Sequence, residues 1–178
     1  PTGINEARSF QLKGQYEQTD SLYRQTFDTL NQAVYPADSI ALWHAEWARA
    51  ATESDRSGEA IARIDSVLSA LRSYKQSPLF GLGMLLYRRA NINIFTEQLN
   101  DAEADLREAV HHFRQMAVQP EIALAKVWGT HSHIQFRKHN IDSAFQYSHR
   151  ALDILNDANA VDTKPAISIL NSLGVLHH

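Results

Sequence analysis

The chain has 178 residues, 44% of them hydrophobic, which is enough to bury a substantial core. Its 17 Lys+Arg and 20 Asp+Glu leave a net charge of −3 and are interspersed, so they read as solvated helix faces and give no case for a nucleic-acid partner. Cysteine is absent, which excludes disulfides and thiolate metal sites and leaves the redox compartment open.

In chain order, Ile4, Ala7, Phe10 and Leu12 recur at helical spacing and predict a first helix over 2–13. Gly14 breaks it. A second helix is expected from Tyr16 to about Asn31, folding back on the first as a hairpin. Pro36 closes this unit, and Asp38 or Ser39 is placed to cap the next helix, whose alanine-rich 40–51 stretch suits close helix contact. Its partner follows the loop 54–58. Ser77 and Pro78 then supply a cap and a first-turn proline. The most apolar run, Leu79 to Tyr87, is stopped by Arg88 and Arg89, well short of the roughly 20 residues that span a bilayer. It predicts a buried helix and no membrane insertion. Asn100 with Glu103 three residues on predicts a capping box, and Pro120 with Glu121 another helix start.

Two markers keep one period. The small residues Thr19, Ala60, Ala102 and Ala144 recur at intervals of 41, 42 and 42, and Pro36, Pro78 and Pro120 at intervals of 42. Such self-similarity predicts an all-α solenoid of helical hairpins. The expected repeats are about 1–35, 36–77, 78–119 and 120–161, with a partial fifth over 162–178. The chain starts at Pro1 without a signal-peptide pattern, so it reads as one repeat domain excised from a longer protein. A cytoplasmic location is expected; a signal or anchor in a parent protein would place it in the periplasm.

Candidate chemistry is sparse. His131 and His133, two apart on a helix, face different sides, while His111 and His112 end a helix and His177 and His178 end the chain, so no metal site is expected. No strand–turn–helix elbow or glycine-rich phosphate loop positions a nucleophile or a cofactor, so neither an enzyme nor a cofactor is expected. Trp43, Trp47 and Trp128 read as core residues.

An aromatic or leucine and a small residue in the first helix, a glycine turn followed by tyrosine, and small residues on the second helix together resemble the tetratricopeptide repeat. The matching residues are Ala7 and Phe10; Trp47, Ala48 and Ala51; Leu86 and Ala90; Trp128 and Ser132; and Leu170, Leu173 and Gly174. Asp55, Glu97 and His139 stand where the first repeat has Gly14. The 42-residue period is similar to the long repeats of kinesin light chains and bacterial multidomain proteins.

The resemblance implies a right-handed α–α superhelix of four hairpins plus the first helix of a fifth repeat. Its first helices would line a concave groove that holds a peptide or helix of a protein partner. The family's groove positions map onto Arg8 and Gln11; Glu46, Arg49 and Glu53; Tyr87, Arg88, Asn91 and Phe95; and Lys126, Thr130, His133, Phe136 and Arg137. Arg49, Asn91 and His133 keep the 42-residue interval. Ala45 and Arg49 depart from the Lys/Asn pattern that captures a C-terminal carboxylate in some relatives. Arginine and aromatic groups suit a ligand with acidic and apolar side chains, while Glu46 and Glu53 weigh against a strongly acidic one. His133 adds an expected pH dependence. The implied function is a protein–protein interaction or scaffold module of a bacterial regulatory or signalling protein; the alternative is a ligand- or peptide-sensing array that controls an output domain. Ile167, Leu170, Leu173 and Leu176 form an apolar stripe at the chain's end, from which self-association is expected.

Overall fold

Apolar and small residues recur on one stripe of every predicted helix, and each stripe needs a neighbour to bury it. The computed structural model describes residues 1–29, 34–74, 79–163, 165–167 and 169–170. Eight helices occur among them: α1 (Thr2–Leu12), α2 (Tyr16–Thr29), α3 (Ala37–Glu53), α4 (Ser57–Arg72), α5 (Leu79–Phe95), α6 (Leu99–Arg114), α7 (Glu121–Arg137) and α8 (Ile141–Asp157). Residues 165–167 and 169–170 are helical as well, and no strand occurs among the described residues. Each odd helix pairs with the even helix after it, and α3, α5 and α7 stack on one another in turn. The result is a right-handed α–α superhelix.

The periodic small residues sit where the hairpins close. Thr19, Ala60, Ala102 and Ala144 are all fully buried, as are Tyr23, Ile64, Leu106 and Ser148 four residues later. Where the small residue is polar it is satisfied inside its own hairpin. Thr19 Oγ1 donates to Gln15 O at 2.7 Å, and Ser132 Oγ lies 2.8 Å from Ala144 O and 2.7 Å from Ser148 Oγ. Trp43 and Trp47 are core residues, whereas Trp128 is half-buried.

All four hairpin turns are built alike. Gly14, Asp55, Glu97 and His139 adopt φ of 73°, 60°, 63° and 62°. The next N–H in each case, from Gln15, Arg56, Gln98 and Asn140, donates to the carbonyl five residues back. This is a Schellman ending, in which a left-handed residue lets the chain satisfy the helix's last carbonyls. Glycine takes that conformation without a Cβ penalty, so its use at Gly14 follows from the turn.

The expected caps are corrected. No side-chain cap is made at α3; the Asp38 carboxylate instead accepts the Gly81 N–H at 2.6 Å, capping the start of α5 in the next hairpin. The capping box at Asn100 and Glu103 does not form either. α6 starts at Leu99, and Asn100 Oδ1 and Glu103 Oε2 both accept from Lys138 Nζ, at 2.9 and 2.8 Å. Glu103 also accepts from Gln135, and the Lys138 bond holds its carboxyl below the usual carboxylate range.

Other side chains join successive hairpins. Asp20, buried on α2, accepts the Trp47 indole N–H at 2.8 Å and pairs with Arg24 and Arg56. Arg89 pairs with Asp105 of its own hairpin and with Asp65 of the preceding one. At the far end Ile167 and Leu170 are exposed. Ser77, Pro78, Leu173, Gly174 and Leu176 lie outside the described residues, as does the end expected for α2 near Asn31.

Candidate functional site

The odd helices form one wall because the even helices cover their other side. Positions 42 residues apart fall side by side on this wall, and a hollow lies along α3, α5 and α7. It is a cavity of about 780 Å³ lined chiefly by Arg49, Tyr87, Asn91, Lys126, His133 and Arg137. Six of the eight sequence-predicted groove residues are thus brought together. Ile94, Phe95, Gly129, Thr130, Pro165 and Ile169 complete the lining. Arg88 lines a smaller adjoining cavity with Arg49 and Asn91, while Phe136 is exposed and lines neither.

Ile94, Gly129, Pro165 and Ile169 were not among the expected residues. The period carried a signal for one of them, since Gly129 lies 42 residues after Tyr87. Gly129 is a place of close approach: a Cβ built there would stand 2.9 Å from the Ile169 side chain.

The polar groups of the wall divide into those spent on the fold and those left open. Arg8 forms a two-pronged pair with Glu46 at 2.9 and 3.0 Å, and the Tyr23 hydroxyl donates to the same carboxylate at 2.9 Å. Gln11 donates to Glu46 O, so Arg8 and Gln11 dock α1 on α3. Arg88 Nε donates to Ala45 O at 3.1 Å, and Arg137 donates to Ile94 O and pairs with Glu97. Asn91 Nδ2 donates to Tyr87 O at 2.7 Å. Among the described residues, Arg49 and Lys126 have no ion-pair partner and face the main cavity, which has no carboxylate in its lining.

The expected influence of Glu46 is therefore corrected: its charge is matched by Arg8, and the groove is more cationic than a count of residues along α3 suggests. His133 is exposed, but partial desolvation, then the nearby Arg137 charge, hold its pKa below the usual histidine value. No group of three or more metal-ligating side chains occurs among the described residues, nor a helix long and apolar enough to cross a membrane.

The same arrangement of stacked hairpins occurs in solved structures. BtubC from P. vanneervenii superposes with a TM-score of 0.70 over 99% of this chain at 13% identity. A putative kinesin light chain from Podosopora anserina, described by its nearly identical TPR-like repeats, superposes with a TM-score of 0.68 over 99% of this chain at 16% identity. The fold is a tetratricopeptide-type repeat solenoid. Within that fold, the present solenoid spans 62% of the BtubC chain and 84% of the kinesin light chain protein. It also resembles the APC/C hetero-tetramer Cut9–Hcn1, with a TM-score of 0.64 and 20% identity, over 96% of this chain and 29% of that one. No family model and no curated protein matches the sequence.

Proposed function

We propose that this solenoid is a protein–protein interaction module that holds a peptide or helix of a partner in the groove of α3, α5 and α7. The observation that carries the reading is the main cavity itself: about 780 Å³, with Arg49 and Lys126 unpaired and no lining carboxylate among the described residues. Tyr87 and Phe95 give it aromatic surface, and arginine and aromatic groups are the types that dominate binding energy at interfaces. The fold supports the reading at a coarser level, since among the similar structures Cut9 is found in a complex with another protein, Hcn1. The setting we propose is a bacterial regulatory or signalling protein in which the module serves as a scaffold rather than an enzyme.

The preferred ligand is an extended or helical segment with acidic and apolar side chains. Its acidic groups meet Arg49 and Lys126, and its apolar groups meet Tyr87 and Phe95. The test is a partner isolated by affinity capture and titrated against Arg49→Ala, Asn91→Ala and Lys126→Ala. A loss of about 1 kcal/mol or more at two of the three supports the groove. Unchanged affinity in all three places the partner on another face and ends this reading.

A further inference from the structure

Arg49 on α3 and Arg88 on α5 carry positive charge into one place, and neither is ion-paired among the described residues. Together with Thr52, Glu53, Asn91 and Phe95 they line a cavity of about 200 Å³ that shares Arg49, Asn91 and Phe95 with the main groove. Arg88 is half-buried, and its Nε is fixed on Ala45 O at 3.1 Å. A guanidinium has five N–H donors, and the Nη donors of Arg88 have no acceptor among the described residues. The Arg49 side chain has neither a hydrogen bond nor an ion pair among them.

The nearby acids do not close the gap. Glu46 is taken by Arg8 and the Tyr23 hydroxyl, and Glu53, which lines the small cavity, pairs with neither arginine. The cost is visible in Arg88, whose pKa is pushed down, first by burial and also by the charge of Arg49 against the opposing pull of Tyr87, Glu46 and Glu53. Two guanidinium groups line one cavity from helices packed together, one of them locked by a backbone carbonyl, and such forked donors suit a carboxylate or phosphate.

We propose that Arg49 and Arg88 form an oxyanion site within the groove that takes the acidic or phosphorylated side chain of the bound peptide. The peptide context rests on the groove reading above; the oxyanion site itself does not need a partner to be tested. The probes are inorganic phosphate and acetate, titrated at constant ionic strength against chloride and followed by the amide and guanidinium NMR signals of Arg49 and Arg88. The expected result is a saturable response, weakened about tenfold in Arg49→Gln and in Arg88→Gln and strengthened in Glu53→Gln. Saturation by phosphate alone assigns the site to a phosphorylated side chain, and saturation by both probes assigns it to a carboxylate as well. Arg88→Gln also loses the bond to Ala45 O, so Arg49→Gln, which loses no described contact, decides if the first variant fails to fold. No saturation by either probe, or an unchanged response in Arg49→Gln, overturns the site. A partner that binds in the groove while neither anion saturates overturns the oxyanion site alone. A saturating anion with a partner bound elsewhere overturns the groove reading alone.

Discussion

Two buried histidines make the fold sensitive to acid. His44 stacks on Phe27 at a ring distance of 4.1 Å, and its Nδ1 lies 3.5 Å from Arg63 Nε, an arrangement that suits only the neutral ring. Burial, then the Arg63 charge, lower its pKa to about 3. His131 lies between Trp128 and Tyr147, at 5.4 and 5.1 Å, and its Nδ1 has no hydrogen-bond partner among the described residues. Burial lowers its pKa to about 4, with Glu103 pulling the other way and Arg107 adding to the fall. In the unfolded chain both rings take a proton near pH 6.5. Their contribution is therefore intact above pH 6.5 and is lost progressively as pH falls toward the folded values, because the unfolded state then binds more protons. At pH 5 each costs up to about 2 kcal/mol. Urea midpoints should drop between pH 7 and pH 5, and the drop should shrink in His131→Phe. Equal midpoints at the two pH values would show that both rings protonate freely in the folded chain. The expected pH response of His133 moves the same way, since its lowered pKa leaves it neutral at pH 7 and places any gain in acidic-ligand binding below pH 6.5.

At the scale of elements, tight crossings decide which substitutions the hairpins accept. Ala102 is fully buried, so Ala102→Leu overpacks the α5–α6 hairpin and should cost about 1–3 kcal/mol in chemical denaturation. Gly83 sets two effects against each other. Alanine favours a helix over glycine by about 1 kcal/mol, yet a Cβ there would stand 2.3 Å from the fully buried Phe113 ring. The clash should win, leaving Gly83→Ala less stable than the parent; a higher melting temperature would mean that the ring gives way cheaply. Much of this level was legible in the sequence. The period placed Asp55, Glu97 and His139 at the position of Gly14, and all four share one left-handed turn. The caps were misread because Asp38 and Glu103 work across hairpins, accepting from Gly81 and from Gln135 and Lys138, whereas a capping pattern looks only three residues ahead.

At the scale of the whole molecule, repetition converts sequence spacing into a wall, which is why Arg49, Asn91 and His133 could be assigned to one groove without any contact in view. The spacing could not reveal how each charge is spent. Arg137 is turned to Ile94 O and Glu97, and Glu46 to Arg8, pairings that join residues 38 to 43 positions apart, while Arg49 and Lys126 have no ion-pair partner among the described residues. We propose that the apolar residues Ile167 and Leu170 promote self-association, which light scattering over a concentration series would detect as a rising mass; a constant monomer mass would rule it out. The groove itself is tested most directly by hydrogen exchange of the solenoid with and without its captured partner. Protection should concentrate on α3, α5 and α7, around Arg49, Asn91 and Lys126, with α4, α6 and α8 unchanged. Protection confined to α4, α6 and α8 would contradict the account, because the partner would then be held by the face opposite the groove.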